Sequence, residues 1–592
     1  MNDFVSYLNS TNNVGGNSTG SLAESQVKSP FFNKVKVDRK LGSLISDSVK
    51  NGAHQAYILT GHAGDGKTSI LVQVLEELGY ILPGEGLDKE KEFSDFYYVK
   101  DMSEVAEAHQ EATLKKALDA PVLGKTSLLI SNTGPLINAF ISLVSAEIQQ
   151  SGEQLSEDAR IELQSTLLTQ LDTNEDREIT IRNHRFVLIN IARVDNVCFA
   201  TSILKKILDE QLWSPCEGCS CKDRCPIKYN RDTVNRQFDR VSLFVESYYR
   251  YLYENDRRMT IRQMVGQLGY ALTGNLSCAE IETKYLKEPF FNYNFANLFF
   301  GYSGLSKKKD ASQIKGIEQI QFLELDQIAL DVDYTIFVNQ NYSAFYQDIQ
   351  ELLIKLRTKY RKHYQINDEE DLDASYEKKT ENLLRRAIRR FYLMYSLEND
   401  DYSIEGLLNQ VFGANYCDYA NLICKKQPKH VLRKLQSMVF QALYMKNTGA
   451  LPDSQNELPL TLRREDDVFQ NVMLVLGEVN KSDLEIVQVP VTSRFEDTPD
   501  KQSLYLRLQD DDFRLTLPMI SYFQNLIDGA IASNTNPALT HGIATLDALL
   551  LEKYGDETPL TEEDCEMRVI INTTSGQDYE TFSFSNGQLD IL

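Results

Sequence analysis

The 592-residue chain has no run of eighteen apolar residues, so no helix is expected to cross a bilayer. Its first residues, MNDFVSYLNSTNNVGGNSTGS, lack a basic start and an apolar core and do not read as a secretion signal. The cytoplasm is therefore the expected compartment. Positive charge is in deficit: 62 Lys and Arg against 85 Asp and Glu leave a formal charge of −23. That balance excludes a general positive field able to coat DNA, so any nucleic-acid contact must come from a local basic patch or from a partner. Cysteines number only nine, four of them within ten residues. An odd, clustered set argues against a disulfide framework and for one metal site plus free thiols. There is no internal repeat, and no group of acids beside a lysine suggests a nuclease.

What is present is a chain long enough for about two to four cores. Residues 1–34 read as a short helix and a flexible Ser/Asn/Gly-rich linker. Over residues 35–213, short apolar strands (Tyr57–Thr60, Phe96–Lys100, Ser127–Ser131, Phe186–Ile191) alternate with helices (Thr68–Glu77, Ser103–Leu118, Pro135–Gln149, Asp158–Leu171). Such alternation predicts a parallel sheet covered on both faces. Residues 214–230 hold the cysteines, 231–305 suit a helical lid, and 306–450 are helical with basic stretches. From 451 to 592 the period moves toward two, with strands in LEIVQVPV, QSLYLRLQ, FRLTLPMI, MRVIIN and YETFSFS and one helix at Tyr522–Ala532. The expected fold class is an α/β P-loop NTPase domain, AAA-like, with a Cys-rich metal insert, a helical lid and a β-containing C-terminal domain.

The sharpest motif is Gly61-His62-Ala63-Gly64-Asp65-Gly66-Lys67-Thr68, which matches G-x-x-x-x-G-K-[ST] between an apolar strand and an amphipathic helix. Glycines let the backbone curl so that successive N–H groups point at phosphate oxygens. Lys67 can reach the β- and γ-phosphates of ATP, the Thr68 hydroxyl can ligate Mg²⁺, and the helix start adds a positive dipole end. Ser69 and Asn132 complete the candidate nucleotide set.

Hydrolysis also needs an acid near Mg²⁺ and a group that positions water. Two strands compete. FYYVKDMSE offers Asp101 and Glu104, although Asp101 can equally be a capping carboxylate. SLLISNTG ends at Ser131, Asn132 and Thr133 with no carboxylate, which would leave the site degenerate. RFVLINIARVDN offers Asn190 as a polar sensor and Arg193 or Asp195 as a nearby charge, or all of these as plain surface residues at a strand end. Arg262, in the lid segment, can lend an arginine to the γ-phosphate or be an exposed helix residue.

Cys216, Cys219, Cys221 and Cys225 give C-x₂-C-x-C-x₃-C, a spacing that can surround one tetrahedral ion. Zinc in a closed structural role fits best, with an iron–sulfur cluster as runner-up. The basic helix with Arg385, Arg386, Arg389 and Arg390, and the cluster Lys425, Lys426, Lys429, Arg433 and Lys434, could touch phosphate backbone or an acidic partner. A solvated helix face is the plainer reading.

Together ILTGHAGDGKT, KDMSE, LLISNTGPL, INIARVD, the cysteine segment running into CPIKYN, and MTIRQMVGQLGYALTGN resemble the ATPase component (DptF/DndF type) of bacterial DNA phosphorothioation-dependent restriction systems. ELPLTLRREDDVFQNVMLVLG and NPALTHGIATLDALLL add to the likeness, which covers most of the chain. The resemblance implies a subunit of a multisubunit complex that restricts DNA lacking sulfur in its backbone, with nucleotide roles at Gly61, Gly66, Lys67 and Thr68. Its partners would be other restriction subunits, and DNA through the complex or a local basic helix patch; whether it also forms a homo-oligomer stays open. A nucleotide-gated switch with slow turnover is the competing expectation; a metabolic phosphotransferase fits least.

Overall fold

The computed structural model describes residues 1–12, 29–150, 152, 154–283, 293–303, 306–307, 310–322, 403–462, 471–529, 537–556, 564–573, 576–585 and 588–591, with single positions between 350 and 397. The expected basic helix with Arg385, Arg386, Arg389 and Arg390 lies outside the described residues. The chain forms two compact units: Met1–Phe412 with Thr492–Pro499, and Gly413–Val491 with Asp500–Leu592.

In the first unit, α1 (Asp3–Asn12) is followed by a single helical turn at Phe32–Val35 and by α2 (Lys40–Lys50). Then come β1 (Ala56–Thr60), α3 (Lys67–Glu77), β2 (Glu90–Glu92), β3 (Phe96–Val99), α4 (Glu107–Asp119), β4 (Thr126–Ile130), α5 (Thr133–Gln150), α6 (Glu157–Thr173), β5 (Glu178–Ile181) and β6 (His184–Asn190). The sheet order is β2-β3-β4-β1-β6-β5. The inner strands β3, β4, β1 and β6 pair in parallel, as their unbroken apolar runs require. The two edges depart from the expected all-parallel sheet, since β2 and β5 pair antiparallel with β3 and β6. Both are polar enough to face water: β2 is Glu-Lys-Glu and fully exposed, and β5 alternates exposed and buried positions.

Each face of the sheet is covered. Leu114, Leu118, Phe140, Leu143, Leu167 and Leu188 pack on one side, and Phe140 lies 5.1 Å from the Phe186 ring. Leu41, Ile45, Ile70, Leu71, Val74 and Ile189 pack on the other, together with Phe495 from the 492–499 segment. Each such large side chain contributes roughly 1.5–3 kcal/mol by leaving water.

A helical part follows: α7 (Phe199–Ile207), α8 (Glu210–Glu217), α9 (Pro226–Arg236), α10 (Phe238–Glu254), α11 (Ile261–Thr273) and α12 (Cys278–Thr283). Thr260 and Gln263 form a reciprocal capping box that starts α11 at a defined residue. The N-terminal α1 packs along α11. A Cβ on Gly269 would stand 3.4 Å from the Leu8 carbonyl, so the small residue permits that close approach. Phe4 sets the edge of its ring against Trp213, centroids 5.7 Å apart.

The second unit contains helices Ala414–Cys424 and Lys429–Thr448, a five-stranded sheet and a three-stranded sheet, both wholly antiparallel. The expected strand FRLTLPMI is corrected: only Asp511–Arg514 is strand, and a helix runs Leu517–Ile527. Extended Thr516 precedes the helix and Pro518 sits in its first turn, where a missing N–H costs nothing. Where one helix is expected there are two, the further one being Pro537–Tyr554. Lys425, Lys426, Lys429, Arg433 and Lys434 are exposed. No helix among the described residues is long and apolar enough to cross a membrane.

Candidate functional site

The glycine-rich loop joins β1 to α3, at the carboxyl end of the parallel strands, where open α/β sheets bind ligands. Gly64 and Gly66 adopt φ of +91° and +92°, which side chains rarely tolerate. A Cβ on Gly64 would also stand 3.0 Å from the Thr260 hydroxyl, because the start of α11 closes over the loop. The Arg262 N–H donates to the Gly64 carbonyl at 3.3 Å.

Beside this loop is a cavity of about 370 Å³. Gly64, Gly66, Lys67, Thr68, Ser69, Asp101, Glu104, Asn132 and Arg262 all line it. Strand order explains the convergence. Because β4 lies between β1 and β3, Lys67, Asn132 and Asp101 follow three adjacent strand ends. The two strands that competed in the sequence both reach the cavity.

Lys67 donates to the Gly61 carbonyl at 2.5 Å, to that of His62 at 3.2 Å and to Asn132 Oδ1 at 3.4 Å. Burial holds its pKa below the usual lysine value; the Asp65 and Asp101 charges oppose this and that of Arg262 adds to it. Burial likewise lowers Arg262. Asp101 accepts from the Ser103 N–H at 2.9 Å and hydroxyl at 2.7 Å, so it caps the short turn Met102–Glu104 while still lining the cavity. Glu104 lies 3.6 Å from the Lys100 ammonium.

No family model, curated protein or solved structure matches this chain. The chemistry of the site rests on its own residues.

Asp65 is placed differently from the rest. It is fully buried, is not part of the cavity wall, and accepts from the His62 N–H at 2.9 Å and from Arg258 at 2.5 Å. Asn190, Arg193 and Asp195 are not in the cavity wall either. Asn190 donates to the Leu171 carbonyl, Arg193 pairs with Asp172, and Asp195 pairs with Arg250. The residues that sequence reasoning missed come from the N-terminal segment: Tyr7, Phe32, Val37 and Arg39 form an apolar and cationic wall with Val265 of α11. Arg39 presents two buried guanidinium nitrogens with no hydrogen-bond partner. Nothing local in their sequence signals this, since α11 folds α1 against the loop from far along the chain.

The cysteines occupy the end of α8 and the turn before α9. Cys216 is half-buried and accepts from the Asn2 side chain at 3.4 Å. Cys225 occupies the N-cap position of α9 without a side-chain cap bond, while Cys221 accepts from Arg224 at 3.3 Å. Among the described residues no three His, Cys, Asp or Glu groups already surround a common point.

Proposed function

We propose that the chain is a P-loop ATPase that binds ATP and Mg²⁺ at the 61–69 loop and hydrolyses ATP as a subunit of a DNA restriction complex acting on DNA without phosphorothioate. The observation that carries the nucleotide reading is the convergence of Lys67, Thr68, Asp101, Glu104, Asn132 and Arg262 on one cavity. Backbone N–H groups of the loop and the start of α3 would receive the phosphates. Lys67 would neutralise the β- and γ-phosphates once phosphate oxygens replace the carbonyls it now meets. Thr68 would hold Mg²⁺, and Asp101 would fix it from the end of β3 through water. Glu104 would orient the attacking water, Asn132 would read the γ-phosphate, and Arg262 would offset its charge. Tyr7, Phe32 and Val37 offer an apolar surface for a base.

The restriction role rests on the resemblance of ILTGHAGDGKT, KDMSE and the cysteine segment to phosphorothioation-dependent ATPases. One observation favours a slower, switch-like ATPase: the strand beside β1 ends in Asn132 rather than a carboxylate.

The test is nucleotide titration of Lys67→Ala. The variant should lose ATP binding by calorimetry while its circular dichroism is unchanged; unaltered affinity would refute the site. Turnover with modified and unmodified DNA then separates the readings. Stimulation by unmodified DNA supports restriction, and DNA-independent, near-zero turnover supports the switch.

A further inference from the structure

One loop belongs to the first unit although the chain on both sides of it belongs to the second. Residues 492–499 join two strands, Glu485–Pro490 and Gln502–Leu508, which pair antiparallel with Pro490 opposite Gln502. Phe495 of this loop is buried in the sheet core with Leu41 and Ile45 of α2. Arg494 pairs with Asp176, in the turn between α6 and β5, at 2.6 Å. Asp497 meets the start of α2. One of its carboxylate oxygens accepts from Arg39 Nε at 3.1 Å and the other from the Lys40 N–H at 2.8 Å. The Lys40 ammonium donates to the Glu496 carbonyl at 3.1 Å. Arg39, at the N-cap position of α2, makes no side-chain cap bond. The carboxylate that this helix start calls for comes instead from 457 positions along the chain.

Arg39 ties that contact to the candidate nucleotide cavity, which it lines together with Lys36 and Val37. Its main chain is held by α3, the helix that begins at Lys67. The Arg39 N–H donates to Gln73 Oε1 at 2.9 Å, and Gln73 Nε2 donates back to the Arg39 carbonyl at 3.1 Å. Its guanidinium lies over the Phe199 ring, 5.2 Å from the centroid. That contact uses the ring face and leaves the in-plane N–H groups to other partners. Both terminal nitrogens are buried without a hydrogen bond, so Asp497 on Nε is what fixes the group in its plane. The pair is shielded from water, with side chains 2% and 6% exposed. Arg39 therefore joins the cavity wall, the phosphate-loop helix and the loop 492–499.

We propose that Asp497 is a positioning residue for the nucleotide site: it fixes Arg39 and the wall beside it, and the loop 492–499 docks more firmly when the cavity is filled. The proposal rests on the reading of that cavity as the nucleotide site. The coupling is reciprocal, because whatever the docked loop adds to nucleotide binding, the nucleotide adds to docking of the loop. Asp497 supports the wall that Tyr7, Phe32 and Val37 share, not the side built by Lys67 and Thr68. The nucleoside end should feel its loss, and the phosphates should not.

Equilibrium binding of ATP and of tripolyphosphate, each with Mg²⁺, to the full-length chain tests this. Asp497→Asn keeps the shape and loses the charge. It should weaken ATP by about fivefold or more, the usual scale of coupling between sites, and leave tripolyphosphate unchanged. Arg494→Ala removes an anchor of the same loop that does not meet Arg39, and should keep both affinities. An ATP affinity unmoved by Asp497→Asn, an equal loss for tripolyphosphate, or an equal loss in Arg494→Ala overturns the proposal. Amide hydrogen exchange on the wild-type protein covers a variant that fails to fold. ATP should slow exchange of the Lys40 N–H and of residues 492–499. Exchange that ignores bound ATP overturns the proposal, whereas wild-type protein that binds neither ATP nor tripolyphosphate overturns the nucleotide reading beneath it.

Discussion

Arg258 and Asp65, 193 positions apart, form an ion pair at 2.5 Å behind the glycine-rich loop. The same guanidinium donates to the carbonyls of Ile191, at 3.0 Å, and Val194, at 3.4 Å. It therefore ties the loop, the end of β6 and the approach to α11 into one body. Arg258→Ala would strand a carboxylate with no exposed surface. The expected cost is about 3–5 kcal/mol, because an unpaired buried charge loses its compensation. Urea unfolding checks it; a loss below about 1 kcal/mol would mean that water or another cation replaces the arginine.

Asp101 and Glu104 are expected to separate by role. Glu104→Gln should keep ATP affinity and lower turnover by roughly 10²–10⁴-fold, the usual weight of a positioned base. Asp101→Asn should weaken the Mg²⁺ dependence of both binding and turnover. Steady-state turnover beside equilibrium binding reads both effects. Full turnover in Glu104→Gln would assign the water-positioning role elsewhere.

Lys67 makes nucleotide binding sensitive to alkaline pH. Only its ammonium form attracts phosphate, and burial holds its pKa below the ordinary 10.5. Affinity should therefore fall as pH rises, with the decline beginning below that value. Equilibrium binding measured across neutral to alkaline pH reads the effect. An affinity that stays flat throughout would place the phosphates out of Lys67's reach.

Phe495 should be as important to the first unit as a residue of its own helices. It is fully buried beside Leu41, Ile45 and Ile70, and two residues on Asp497 pairs with Arg39 at 3.1 Å. Phe495→Ala is expected to cost about 3–5 kcal/mol through lost burial and a residual cavity. Thermal unfolding followed by nucleotide release in the full-length chain would show it. An unchanged transition would mean that the 492–499 segment does not support the sheet domain.

Much of the first unit was legible locally. The loop between Gly61 and Thr68 announces itself by glycines placed before Lys67, and the inner strands by apolar runs at short spacing. The helix at Leu517–Ile527 was less so: FRLTLPMI alternates like a strand, and Pro518 reads as a helix start only once Thr516 is seen to be extended.

The sequence by itself determined which residues form the glycine-rich loop and the strands and helices around it, because backbone torsion and side-chain periodicity act over a few residues. Only the tertiary structure decided that β4 lies between β1 and β3, which brings Asn132 and Asp101 to the same cavity. It also decided that Arg258 locks Asp65. Strand order and such pairings are set by burial of whole faces and by closing long loops. Those terms belong to the packed chain and leave no mark at the spacing of neighbouring residues.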